Sequence, residues 1–484
     1  MQTPNFASHT SKAVAIGILL VFFLIPSIMV SSLVDERSER RDGTVASVGE
    51  SWGRAQMLQG PVLVLPYDRI STDSAGKVTT IEENAFFLPD TLDTNGELTT
   101  EIRSRGIYQV PVYTTHLAIK GSFPEPSFAT LGIPPSNVKW DKAAIHIGIP
   151  DMRGVTDQVV LDWRGAQKPF VPSSGVEQLS SGIRVPLSSA DFQDKSDAGY
   201  AFSLQIGLRG STEIGFLPMG KTTTVHLSGN WQTPSFDGEF LPTSHTIDEK
   251  GFTVDWKVLD LNRSFPQSWT TNTKVALSGE SELKRFDPDE GIYDEQPRTL
   301  SSGAVLTQSN AFGMRLYQPN DIYSQTSQAT KYAMAIIGLV FVLVFFIEAT
   351  STPSASGVKR RVHPVQYTLI GLALIIFYSL LLSLAEYMFF DGAYAIASVA
   401  TIVLITLFAR RIMADNTRGY ITGGVLTVLY LFIYILLQSE DYTLLIGSIG
   451  VFVILALLMS ASHRIEWYGV VERREPLSRE NDNG

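Results

Sequence analysis

Apolar positions in this chain follow two different rhythms. Residues 13–30 form a charge-free apolar run, and five more runs crowd the last third, with cores at residues 332–347, 365–385, 393–409, 420–437 and 442–461. Each approaches the roughly 20 residues a helix needs to cross a hydrocarbon core, the two shortest with snorkelling flanks or little tilt. A single run of this kind has an ordinary explanation as a buried soluble helix. Six do not, because Tyr332, Tyr387, Tyr420, Tyr442, Trp467 and Tyr468 also stand near their ends, where amphipathic rings meet the membrane interface. The first run is too long for a signal-peptide core and no small-residue cleavage site precedes Asp35, so it reads as an uncleaved anchor.

Residues 35–331 alternate instead. Phe202, Leu204, Ile206 and Leu208 share one face of a strand, as do Tyr113, Thr115, Leu117 and Ile119, then Ala143, Ile145, Ile147 and Ile149, then Phe252, Val254, Trp256 and Val258. Asn95-Gly96 reads as a hairpin turn between two such stretches. Frequent Gly and Pro punctuate the rest, which predicts packed sheets of the sandwich kind. Just after the first run, Val45, Val48, Trp52 and Ala55 recur at helical spacing up to Gly60-Pro61, so a helix continues out of the membrane, weakened by Gly43, Gly49 and Gly53.

Charge changes this picture in two ways. The chain has 38 Lys and Arg against 48 Asp and Glu, a net charge of -10. Residues 35–331 hold 37 of those acids and 27 of those bases, so the whole imbalance sits in the alternating segment. That speaks against nucleic acid and other polyanionic partners there. The short loops give orientation. Lys359, Arg360 and Arg361, then Arg410, Arg411 and Arg418, then Arg464, Arg473, Arg474 and Arg479 mark cytoplasmic sides, while Glu386 with Asp391 and Glu440 with Asp441 mark the alternate, outer sides. Both termini are then cytoplasmic.

Candidate chemistry is sparse. With no Cys there is no disulfide framework, thiolate metal site or cysteine nucleophile. Gly215-Phe-Leu-Pro-Met-Gly220-Lys221-Thr222 fits a phosphate-binding loop literally. However, Pro218 removes an N–H from the loop and Thr223 to Leu227 reads as strand, not helix, so a β-turn with a surface Lys is expected. His116, His146, His226 and His245 lack ligand spacing, so no metal and no other cofactor is expected. No nucleophile-elbow pattern is present, although a dispersed carboxylate pair of the glycosidase kind leaves no local signature. Glu348 and Glu386 border the apolar runs; by rise per residue they fall at the two interfaces, which favours interfacial or packing roles over a proton path.

The chain resembles the CreD family of Gram-negative inner-membrane proteins. The resemblance rests on Glu36-Arg37, Arg40-Arg41, Trp52-Gly53, Gln56 and Gly60-Pro61 through Pro66-Tyr67, then Phe216-Leu217-Pro218 with Gly220, Trp231, Pro234-Ser235-Phe236 and Ser264-Phe265-Pro266-Gln267. In the apolar third it rests on Arg361, His363-Pro364-Val365-Gln366-Tyr367, the Glu386 region, Leu437-Gln438, Glu440-Asp441-Tyr442 and Trp467-Tyr468, beyond which residues 469–484 extend past the usual end. It implies an inner-membrane protein of envelope integrity, with a periplasmic β-rich domain and expression under a two-component system answering envelope and β-lactam stress. It supplies no catalytic residues.

The expected fold is therefore an α+β membrane protein: six transmembrane helices with a large β-rich, sandwich-like extracytoplasmic domain between the first and second. The expected segments are an anchor at 1–34, the outer domain at 35–331, five helices at 332–468 and a cytoplasmic tail at 469–484. Trp52, Gly60, Pro61, His363, Pro364, Glu386, Glu440 and Asp441 are its functional or packing candidates. Expected partners are the lipid bilayer and a periplasmic protein or wall component, with no nucleic acid. The competing reading is a transporter or flippase gated by the outer domain, and a third is a periplasmic enzyme on lipid or glycan.

Overall fold

The computed structural model describes residues 9–72, 78–174, 176, 179, 181–193, 199–273, 275, 310–318, 322–349, 362–413, 416–438 and 443–462. The chain is an α+β protein of two compact units, Met1–Arg40 with Asn320–Gly484, and Arg41–Pro319.

Seven helices are described: α1 His9–Trp52, α2 Ile322–Lys331, α3 Ala333–Ala349, α4 Pro364–Ala385, α5 Phe390–Met413, α6 Asn416–Gln438 and α7 Thr443–Ser462. Among the described residues four of them, α1, α4, α5 and α6, are long and apolar enough to cross a membrane, and α2 with α3 makes a fifth if the pair, bent by 44°, counts as one span. Residues 445–457 within α7 form a shorter apolar stretch. The expected helical continuation beyond the first run is present: α1 is unbroken to Trp52 and stops at Gly53, whose φ of +147° suits glycine alone. α2 lies in the helical unit, where Tyr323, Thr326, Ala329 and Thr330 are buried.

The helical unit has its own core. Ile337, Phe341 and Val344 of α3 meet Leu374, Phe377 and Leu381 of α4, with Ala393 and Ala397 of α5 and Leu426 and Ile433 of α6. Small residues on α5 let α4 and α6 approach closely, which is how apolar helices pack where lipid offers no hydrophobic contrast.

In the second unit the strands in chain order are β1 Gln56–Thr72, β2 Val78–Phe87, β3 Thr91–Arg105, β4 Tyr108–Phe123, β5 Ala144–Gly148, β6 Val160–Trp163, β7 Ala166–Pro169, β8 Val171–Ser173, β9 Gly182–Pro186, β10 Tyr200–Ser211, β11 Glu213–Phe216, β12 Thr222–Gly229, β13 Pro234–Gly238, β14 Ser244–Asp248, β15 Gly251–Leu259, β16 Ser268–Thr270 and β17 Phe312–Leu316. A nine-stranded sheet runs β13-β17-β11-β1-β5-β9-β8, with β2 on β1 and β16 on β2; an eight-stranded sheet runs β14-β15-β12-β3-β4-β10-β6-β7. The inner faces of both supply one continuous apolar cluster that includes Leu63, Phe86, Tyr113, Phe123, Trp163, Trp256, Trp269 and Phe312. Each fully buried side chain of this size contributes roughly 1.5–3 kcal/mol, so the two sheets hold each other through that interior.

The alternation predicted for β4, β5, β10 and β15 is present, with the named residues facing the core. One expectation fails. Asn95-Gly96 is no turn: β3 runs straight through it and turns into β4 only after Arg105. Gly96 lies where a Cβ would come within 2.5 Å of Leu117 Cδ2 and 2.8 Å of Leu227 Cδ2, so glycine there makes room for leucines of both flanking strands. Close side-chain approach, not a left-handed turn, selects this glycine.

Candidate functional site

Two buried carboxylates tie α1 to the other helices. Lys12 near the start of α1 forms an ion pair with Glu348 at the end of α3, and its ammonium also donates to the Val362 carbonyl at 3.4 Å. Tyr367 of α4 donates its hydroxyl to the other Glu348 oxygen at 3.3 Å. At the far end Arg37 meets Glu386 at 3.3 Å, and Tyr323 donates to the same carboxylate at 3.5 Å. Glu348 and Glu386 are each 8% exposed, so neither carboxylate has bulk water to rely on and each needs its cation. Glu386 also caps the C-terminus of α4, where a negative charge opposes the helix dipole unless a cation answers it.

Between these ends α1 touches its unit along a narrow seam. Ile16, Phe23 and Val30, seven residues apart, are its buried members of the helical core. Phe23 fills the space that a side chain at Gly371 would take, 2.5 Å from that glycine's ideal Cβ, and stands edge-on to Phe341 at 5.8 Å. Lys12 and Arg37 are 25 positions apart on α1, about 37 Å at 1.5 Å per residue. That is slightly more than the thickness of a hydrocarbon core.

The other sequence candidates have local structural explanations. His363-Pro364 starts α4: the Val365 N–H donates to His363 Nδ1 at 3.3 Å, the His363 N–H donates to Gln366 Oε1 at 2.9 Å, and Pro364 occupies the first helical position. Trp52 lies between the Arg103 and Arg209 guanidinium groups, 3.7 and 4.6 Å from the ring, and its indole N–H donates to the Tyr113 carbonyl at 3.3 Å. Beside it, Gln56 donates to the carbonyls of Asp151 and Arg209, and Asp151 accepts from the Arg54 N–H. Burial pushes the Asp151 carboxyl up, but the Arg153 guanidinium and the two N–H donors outweigh it and hold the group below its usual range. Gly60-Pro61, joined by a cis peptide, coincides with the register shift of β1 against β5, where Pro61 has no N–H to give the ladder. Glu440 and Asp441 lie outside the described residues, as do Lys359, Arg360, Arg361 and the tail arginines. The described candidates are thus spread over both units, and no one cleft is lined by them.

The motif lookalikes are closed on themselves. In the Gly215–Thr222 segment the Leu217 N–H donates to Leu58, Met219 to Leu217, Gly220 to Thr223 Oγ1, Lys221 to Pro89 and Thr222 to Asp90, which leaves none of these amides for a phosphate. A strand follows, as the β-branched run predicted. The Pro218 carbonyl is held by Arg263, a buried guanidinium that sequence reasoning missed because nothing in a lone Arg signals burial; burial pushes it down to about 10, against the nearby Asp260. On the eight-stranded sheet, His226 Nδ1 meets Asp255 at 2.7 Å and Ser244 donates to the same carboxylate at 2.8 Å. The carboxylate stands between hydroxyl and imidazole, whereas a hydrolytic triad needs the imidazole in the middle. Among the described residues no cluster of His, Asp or Glu is arranged to hold a metal.

Residues 8–468 match the family described as Inner membrane protein CreD. The chain belongs to that family. It is 27% identical over 474 residues to the Inner membrane protein CreD of Escherichia coli (strain K12), covering 97% of this chain and 95% of that one. For a CreD-family chain the pairing of Lys12 and Arg37 with Glu348 and Glu386 explains why charged residues flank the first apolar run and end the second and third. Neither pairing is legible in the sequence, because partners over 300 positions away leave no local pattern.

Proposed function

We propose that this CreD-family chain is a non-enzymatic inner-membrane protein of envelope integrity, with six spans, cytoplasmic termini and residues 35–331 in the periplasm as a binding domain for a partner or wall component. The observation that carries this reading is that the Gly215–Thr222 amides are all spent internally and that Ser244, Asp255 and His226 lack the order of a hydrolytic triad, while open clefts on the sheet faces are lined by hydroxyl, amide and charged side chains. Pocket-lining groups such as Asp93, Asn95, Thr224 and Lys257 suit recognition, and the Ser244 hydroxyl in the same cleft donates to Asp255 and not to an imidazole base. The experiment is complementation of a deletion strain under envelope stress with a variant that lacks residues 56–318 and keeps the helices. Loss of the envelope phenotype's rescue, with the truncated protein still inserted, is the expected result; rescue by the helices alone would sink the proposal.

One observation favours a second reading, transport. Glu386 is an almost fully buried carboxylate among the helices, and such groups serve proton or substrate paths in transporters. Glu386→Gln decides between them. It keeps the shape and removes the charge, so a coupling carboxylate loses function outright, whereas a packing carboxylate leaves function intact with a modest fall in thermal stability.

A further inference from the structure

The nine-stranded sheet carries a cleft of about 310 Å3 on the face turned away from the core. Strand β5 explains it. Ile145 and Ile147 point into the shared interior, so Ala144, His146 and Gly148 take the opposite side. His146 is nevertheless only 6% exposed. It lines the cleft with Val64 and Ala144, and Asn84, Lys142 and Arg184 stand around it. Register places Arg184 of β9 directly opposite His146, and cross-strand partners share a face.

Three features set this cleft apart. First, a neutral imidazole has one donor and one acceptor nitrogen, and no hydrogen bond to either is found among the described residues, although burial, with Arg184 beside it, pushes the ring down to about 4 and so keeps it neutral. Second, no carboxylate pairs with Arg184 among the described residues, whereas Lys142 is held at the mouth by Glu82 at 2.8 Å. Third, no carboxylate lines the cleft among the described residues, while three clefts on the eight-stranded sheet each have at least one, Asp93 and Asp255, Glu97 and Asp248, or Asp162. In a segment whose net charge is strongly negative, this is a local exception of opposite sign.

We propose that this cleft binds the oxyanion head of a small molecule, a carboxylate or a phosphate monoester, with Arg184 as the forked donor and His146 supplying a ring N–H beneath it. A planar guanidinium matches two oxygens at once, which is why Arg is the residue of choice for such groups. The acidic surface repels polyanions at long range but does not oppose one charge inside a cleft whose described lining carries Arg184 and Lys142 and no carboxylate. The site does not depend on the envelope role, and its failure would leave that role standing.

The test is thermal unfolding of the full chain in nanodiscs at pH 7, titrated separately with sodium phosphate and sodium acetate against sodium chloride at matched ionic strength. A ligand that binds only the folded state raises the midpoint saturably, whereas general salt exclusion gives a rise without saturation. The expected result is a saturable rise with at least one anion, and a half-saturating concentration at least tenfold higher in Arg184→Gln. Saturation with phosphate alone assigns the phosphate class, and with acetate alone the carboxylate class. Arg184 is solvent-exposed at its strand, so the variant is expected to fold; Arg184→Lys, which keeps the charge and loses the fork, gives a second reading of the same loss. No saturable rise over chloride with either anion, or less than a threefold change in both variants, overturns the proposal.

Discussion

At the scale of single residues, burial decides what a titratable group does here. His146 is held neutral to about pH 4 by burial and by Arg184, while an unfolded chain protonates its histidines near 6.5. The unfolded state therefore takes up that proton first as pH falls. Stability conferred by the neutral ring is complete above about pH 6.5, declines between 6.5 and 4 and is level below, a total of roughly 3 kcal/mol. The buried carboxylates act in a lower window. Glu83 is pushed up by its own burial, but Tyr67, Asn272 and Arg69 hydrogen-bond it strongly enough to leave it below its ordinary range, so its contribution is lost only as pH drops through that depressed value. Tyr67 is driven to about 12 by burial and by the same carboxylate, so it stays a donor throughout. Chemical denaturation of the chain from pH 7.5 to 4.5 should show falling stability that largely disappears in His146→Gln. An identical slope in the variant would mean that the ring is not the group responsible.

At the scale of elements, the strands and helices differ in how much of their logic was local. The apolar runs that became α1, α4, α5 and α6 are visible because membrane spans need length and composition only. Alternation in β4, β5, β10 and β15 was equally plain, since one face of each meets the shared core. What stayed hidden was pairing. Parallel contact of β12 with β3 and of β1 with β11 joins segments more than a hundred positions apart, which no short window reports. Gly96 shows the consequence: the local dipeptide signals a turn, but its neighbours across β4 and β12 are leucines that need the space. Among site residues, the cap at His363-Pro364 and the aromatic Trp52 stood out by type, yet the arginines on either side of Trp52 come from β3 and β10 and were invisible. Gly96→Ala should cost about 1–3 kcal/mol by overpacking, and pairing it with Leu227→Ala should cost less than the two singly summed. Strict additivity in urea titrations would show that Gly96 is there for some reason other than those side chains.

At the scale of the whole molecule, the two ion pairs bear on the path of the chain through the bilayer. A bent pair such as α2 with α3 is either one broken span or a re-entrant loop. Tyr323 near the start of α2 shares Glu386 with Arg37, and Glu348 at the end of α3 meets Lys12. The pair thus runs from the Arg37 end of α1 to its Lys12 end, antiparallel to it, and α4 returns from Tyr367 beside Glu348 to Glu386. We therefore propose that the bent pair is one broken span, since a re-entrant loop returns to the side it left. On that proposal Lys359, Arg360 and Arg361 are expected on the same side as Lys12, and residues 35–331, with their 37 acids, on the other. Phosphatase fusions in cells read this directly: one placed after Ser302 should be active, as befits the periplasm, and one placed after Gly357 inactive. Activity at both positions would make α2 with α3 re-entrant, reverse every later helix and withdraw the six-span topology, whatever the β unit binds.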